Sequence, residues 1–257
     1  MANNITADPN CISLWRFEAG AMLTDTAGNN DLTYAYGEEF SPIEDTSVYK
    51  EGDCSALWRV SEEQPCIIND ANLSNDFPLK SDVADTTFSW VLWIKPEVLT
   101  YTNQYILGKM DGSDRDQVLI IPSNAIPKWK FEIAGSQIDT GISPTSLAWH
   151  HVAITHDGDT NDLNIRIYNE NTDSTDTFHV ELSGGDIIVP ANKPWMVCSY
   201  WTNLKFNLDE LAIFNRVLTP AEIDEIRAGI FGDGGGGGAT GQAALDAYTA
   251  MNLGCPF

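Results

Sequence analysis

Phe88-Ser89-Trp90-Val91-Leu92-Trp93-Ile94-Lys95-Pro96 decides the fold. Its first seven residues are nearly all apolar, so a strand here has both faces covered or carries aromatics, which predicts a central strand. Downstream, Lys128-Trp129-Lys130-Phe131-Glu132-Ile133 alternates apolar with charged residues. That pattern predicts an outer-facing strand with one face on a core and the other in water. Further runs with a period near two cover Ile12 to Phe17, Ser55 to Val60, Tyr105 to Lys109, Val118 to Ile121, Trp149 to Thr155, Leu163 to Tyr168, Phe178 to Leu182 and Phe206 to Phe214. Turn-rich stretches separate them at the spacing of a sandwich. Helical periodicity is confined to Thr219 to Gly229, where Thr219 caps, Pro220 suits the first helical position, Glu222 completes a capping box and Gly229 closes the helix. The expected class is all-β, an antiparallel two-sheet sandwich with a short C-terminal helix after the last strand.

Composition narrows the partners. The 257 residues include 37 acidic and 14 basic side chains, for a formal net charge of -23. Such a surface repels phosphate backbones and anionic membranes, and leaves neutral glycans, divalent cations and protein neighbours open. The longest apolar stretch, around Trp90 to Ile94, is far too short to insert in a membrane, and the start from Met1 to Pro9 has no basic or apolar signal-peptide character. Cys11, Cys54, Cys66, Cys198 and Cys255 lack the paired short spacings of a zinc site. Their odd count leaves at least one thiol free or intermolecular if the others pair; buried free thiols satisfy the pattern equally.

The chain divides into an N-terminal arm (1–10), a sandwich (11–231), a glycine-rich linker (232–241) and a tail (242–257) whose short helical pattern ends at Gly254-Cys255-Pro256-Phe257. Five consecutive glycines, Gly234 to Gly238, make the linker flexible. So short a tail does not fold alone, and its expected role is to dock on a neighbouring subunit.

Phe88 to Pro96, Tyr105-Ile106-Leu107-Gly108-Lys109, Trp149-His150-His151-Val152-Ala153-Ile154-Thr155-His156-Asp157-Gly158 and Asp209 to Thr219 together resemble the laminin-G-like, concanavalin-A-like lectin/glucanase domains. The opening Leu14 to Glu18 and the turn Asp25 to Asn29 extend the resemblance in family order. It implies a jelly-roll of two curved sheets, in a family that includes lectins, adhesion modules, carbohydrate-binding modules and glycosidases.

The glucanases of that superfamily carry closely spaced carboxylates on one strand face. No Glu-x-Asp-x-(x)-Glu pattern occurs here, and Glu132, Glu181 and Glu210 lack partners on their strands. His150 and His151 are adjacent in a strand, so they face opposite ways and form no dyad. His151 shares a face with Trp149 and Ala153, the pattern of a packed histidine. The expectation is a non-enzymatic module.

The family often holds a calcium ion where the opening strand and loop meet the closing strand. That resemblance nominates Glu18, Asp25 and Asp209 as oxygen ligands for structural Ca2+, with Asp209 alternating away from Leu208 and Glu210. The alternative makes Asp25 a turn cap and the other two solvated carboxylates. For a glycan or cell-surface polysaccharide, the candidate stacking residues near loops or strand ends are Tyr101, Tyr105, Trp195, Tyr200 and Trp201, with Asn103, Asp111 and Asn203 as polar neighbours. The competing assignment for each ring is the core. The sequence therefore points to an extracellular-type adhesion or display module that binds glycan. The alternative is a structural or decoration protein on a virion surface, reached by cell lysis and attached through the tethered tail.

Overall fold

A computed structural model describes residues 3–35, 42–59, 65–99, 104–111, 114–121, 127–133, 135–184, 188–198 and 205–232. Among them fifteen strands and one α-helix follow in order. The strands are β1 (Cys11–Trp15), β2 (Thr33–Tyr34), β3 (Ile43–Asp45), β4 (Ser55–Trp58), β5 (Cys66–Ile68), β6 (Phe88–Pro96), β7 (Gln104–Asp111), β8 (Asp114–Ile121), β9 (Lys130–Ile133) and β10 (Ser136–Asp139). Then come β11 (His150–Asp157), β12 (Asp162–Asn169), β13 (Ser174–Glu181), β14 (Trp195–Val197), β15 (Phe206–Phe214) and the helix α1 (Pro220–Arg227).

Among the described residues the strands form two antiparallel sheets. The eight-stranded sheet runs β13-β12-β11-β6-β15-β4-β3, with β1 also paired to β15, and the seven-stranded sheet runs β10-β9-β8-β7-β14-β5-β2. β6 is central and buried from Phe88 to Ile94, as its composition requires. Alternation sends Trp90, Leu92 and Ile94 into the main core beside Val152, Ile154, Leu163, Ile165 and Ile167 of β11 and β12. Aromatics fill that core: Trp90 lies 4.8 Å from Phe88 of its own strand and 5.0 Å from Trp195 of the facing sheet, and Trp58 stacks on Phe206 within the larger sheet at 5.1 Å.

β9 departs from its expected pattern. Trp129, Phe131 and Ile133 point into the core, but Glu132 is buried too and accepts a hydrogen bond from Gln137 Nε2 at 3.2 Å. At Glu132 the outer face is therefore covered, while Lys130 on the same face stays half-buried. The strands β2, β3, β5, β10 and β14 were not legible because two to four residues carry too little periodicity. The arm is part of the packed body: Ile5 is fully buried, and Asn4 N donates to Phe231 O at 3.0 Å. Cys11, Cys54, Cys66 and Cys198 are buried free thiols. The glycine-rich linker beyond Gly232 and the tail lie outside the described residues.

The helix α1 starts as its sequence dictates. Thr219 Oγ1 accepts from Glu222 N, Glu222 Oε2 accepts from Thr219 N at 2.7 Å, and Pro220 fills the first turn. Its buried face, Ile223 and Ile226, sits on the outer side of the large sheet against Val91, Ala153, Ala212, Phe214 and Leu14. The small side chains Ala153 and Ala212 let the helix come close. This seat covers one part of the outer face and leaves the adjacent row for other chemistry.

Candidate functional site

Strand register builds that row. Tyr168 pairs with His151, His151 with Trp93 and Trp93 with Asp209, so four neighbouring strands (β12, β11, β6 and β15) place these residues side by side. All four stand on the outer face, one step of alternation from the helix-bearing row of Val91, Ala153 and Ala212. The Trp93 ring lies 5.0 Å from His151, 6.1 Å from Tyr168 and 6.5 Å from Trp149, nearly perpendicular to the last two. His150 points the other way, 5.6 Å from Trp129, as adjacent strand positions require.

Cations cover this aromatic floor. Lys50 Nζ lies 4.4 Å above the Trp93 ring and pairs with Glu170 Oε1 at 2.6 Å. Arg227, from the end of α1, holds its guanidinium 4.2 Å above Tyr168. Asp224 pairs with Arg166 at 3.1 Å and with Arg227 at 3.5 Å. The Tyr168 hydroxyl donates to Asp173 Oδ1 at 2.9 Å. His151 is 2 % exposed, and burial, then Arg227, Arg166 and Lys50, push its imidazole down to about 3, so the ring is neutral.

A β-bulge frames the other end of the row. The register of β15 slips between Asp209 and Ala212, and Glu210 takes φ 49°, the left-handed region that side-chain-bearing residues seldom enter. The extra residue leaves both Asp209 and Glu210 buried outside the main core. Glu210 is gripped by Arg16 Nη1 at 3.0 and 2.9 Å, and Arg16 Nη2 donates to Asn3 O at 2.9 Å. Asp209 Oδ2 accepts from Lys50 N at 2.7 Å and Glu51 N at 3.2 Å, which holds the segment bearing Lys50 against the sheet. Its Oδ1 is buried without a partner among the described residues. Burial pushes Asp209 up to about 7, against the pull of those two amides. Burial likewise pushes Glu210 up to about 8, against the attraction of Arg16.

The structure does not gather Glu18, Asp25 and Asp209 into one three-carboxylate group among the described residues. Asp25 Oδ1 accepts from Leu14 N, Ala27 N and Gly28 N at 2.8, 3.0 and 3.0 Å, and its Oδ2 accepts from Asn30 N at 3.0 Å. Its carboxylate closes a turn, the alternative role open to it. Glu18 Oε2 accepts from Asp53 N at 2.9 Å, and Asp209 is buried rather than solvated. No group of three or more His, Cys, Asp or Glu among the described residues has the geometry to hold a metal ion.

Two nominated glycan aromatics are core residues. Trp195 is fully buried, paired between Ile68 and Lys109 and packed 5.5 Å from Phe77, so it offers a sugar no face. Tyr105 is buried with Met110 and Met196. Both sit near a strand end, Tyr105 in β7 and Trp195 in β14, and packing gives each the competing core assignment. Tyr101, Tyr200 and Trp201, with Asn103 and Asn203, lie outside the described residues. Sequence reasoning passed over Trp93, Tyr168, Lys50 and Glu170; the one signal was the shared face of Trp149 and His151, read as packing.

The family model of the concanavalin A-like lectin/glucanases superfamily, laminin-G type, matches residues 69–224. Among solved structures the chain is similar to botulinum neurotoxin type C, whose cell entry is dependent upon interaction with two ganglioside molecules (14% identity, 84% of this chain and 50% of that chain, TM-score 0.55). It is also similar to the binding domain of botulinum neurotoxin DC in complex with SialylT (13% identity, 88% and 51% covered, TM-score 0.56). A third is Trypanosoma rangeli sialidase (13% identity, 85% and 32% covered, TM-score 0.51). The chain spans about half the length of the two neurotoxin chains, and at these identities the likeness is one of fold. No curated protein matches.

Proposed function

The chain belongs to the concanavalin A-like lectin/glucanases superfamily, and from that membership we propose that it is a non-catalytic adhesion or display module that binds glycan on the outer face of its larger sheet. Tyr168 carries the proposal: it is the half-buried ring at the edge of the row Tyr168, His151, Trp93 and Asp209, whose other three members are buried, and its hydroxyl stands beside Asp173. Sugar rings bind through that pairing: apolar C–H faces rest on aromatic rings while hydroxyls meet polar side chains. The lectin-like fold shared with glycan-recognising proteins supports the reading. The non-catalytic part is supported by the carboxylates: Glu132, Glu181 and Glu210 lie on β9, β13 and β15, in three strands and two sheets, and Glu210 is held by Arg16.

The test is a glycan array probed with the intact protein and with Tyr168→Ala, each first checked for an unchanged melting temperature. Binding to a restricted set of sugars that Tyr168→Ala loses is the expected result. An array without signal, or signal indifferent to Tyr168, overturns the proposal.

A further inference from the structure

Building on the glycan-binding reading, we propose that this site takes a carboxylate-bearing sugar, whose carboxylate displaces that of Glu170 from Lys50.

The charge distribution argues for it. On a chain of net charge -23, anions are repelled from most of the surface. Yet three of the 14 basic residues, Lys50, Arg166 and Arg227, gather around one imidazole, and all three disfavour its protonation. The facing acids are Asp224, shared by both arginines, Asp209 beneath the Lys50 backbone, Asp173 at the Tyr168 hydroxyl, and Glu170. Glu170 alone of these reaches Lys50 Nζ from the surface, and its side chain is 44% exposed against 19% for Lys50. An exposed ion pair contributes little net stability, so a ligand carboxylate exchanges for it at small cost.

The remaining contacts suit a sugar ring attached to that carboxylate. Lys50 sits directly over Trp93, so an anion paired with it lies above the aromatic row. The Tyr168 hydroxyl stands at the rim, bonded to Asp173. The His151 imidazole is neutral and almost wholly buried beside Trp93, so it supports the row from below and does not meet the ligand. Glu170 thus acts as an internal stand-in for the ligand's acid group.

The test measures binding of 3′-sialyllactose, trigalacturonate and lactose to the intact chain by calorimetry, in wild type, Glu170→Gln and Lys50→Met. Methionine keeps an apolar stem over Trp93, and both variants are first checked for an unchanged melting temperature. Glu170→Gln frees Lys50 and tightens an acidic probe by roughly 3- to 10-fold, whereas Lys50→Met weakens it by about 10-fold or more. Lactose responds to neither. Whether sialyllactose or trigalacturonate shows the effect identifies the source of the carboxylate. Acidic probes that ignore both variants, or changes shared equally with lactose, overturn the carboxylate assignment and leave the glycan reading standing. Absence of binding to all three probes, together with a silent array, overturns both.

Discussion

The substitution Asp209→Asn tests whether the polar end of the site carries a buried, protonated acid. The carboxyl ordinarily titrates near 3.8, and burial raises it to about 7 in the folded protein. Between those values the folded state holds a proton that the unfolded state has released. The associated stability is fully present below about pH 4, falls by roughly 1.4 kcal/mol per pH unit across the window and is lost above pH 7. Integrated over the shift, the loss is on the order of 4 kcal/mol. The side-chain amide of the variant still offers an oxygen to Lys50 N and Glu51 N but cannot ionise. Urea unfolding from pH 4 to 9 should therefore show the two proteins close together at pH 4 and the variant gaining steadily, until it is the more stable by about 2–4 kcal/mol at pH 8. Glu210, raised to about 8 from 4.5 by burial and in part by the Asp209 charge, is relieved of that repulsion in the variant, which adds to the variant's gain at high pH. Parallel pH profiles for wild type and variant would refute the argument, as would a variant that is less stable at pH 8.

Four other changes probe the rest of the structure. Trp195→Ala should cost about 3–5 kcal/mol in urea unfolding while sugar binding per folded molecule stays unchanged; a stable variant that has lost binding would return Trp195 to the glycan site. The melting temperature with excess calcium and with EDTA should agree within about 1 °C, since the Asp25 carboxylate is occupied by backbone amides; a calcium-dependent rise contradicts this. Gly52 has φ 69°, and a Cβ there would run into the Glu18 carboxylate, so Gly52→Ala should lose about 1–2 kcal/mol, an unchanged unfolding midpoint counting against it. Thr219→Ala removes the cap of α1 and should cost about 1 kcal/mol by the same measurement.

The fold was legible wherever a strand was long enough to show its period. Phe88 to Ile94 announced a central strand by covering both faces, Phe206 to Phe214 coincides with β15, and Thr219 with Glu222 marked the start of α1 by capping chemistry alone. Local rules decide those elements, and local rules can be read from sequence. Glu132 shows where they stop: alternation placed it correctly on the outer face of β9, but whether that face meets water depends on what packs over it. Trp195 fails for the related reason that a three-residue strand gains its burial from neighbours more than 80 residues away in the chain, Ile68 and Lys109.

The site was hidden because it is a property of register. Trp93, His151, Tyr168 and Asp209 belong to four strands, and nothing local says which residue of one strand lies beside which residue of the next. The bulge in β15 adds a second concealment. Strict alternation from Leu208 puts Asp209 outward and Glu210 inward, which is how the sequence was read. One extra residue between the partners of Trp93 and Val91 instead leaves both acids outside the main core and restores Leu211 and Ile213 to it. The bulge lets Glu210 meet Arg16, tying the middle of β15 to the residue after β1, while Asp209, outward in either register, holds the backbone of Lys50 over Trp93. A strand without that extra residue would carry Glu210 into the apolar core, where an unpaired carboxylate is strongly destabilising. The placement of Lys50 thus depends on a carboxylate about 160 residues downstream in the chain, beside a bulge recorded locally only as the positive φ of Glu210.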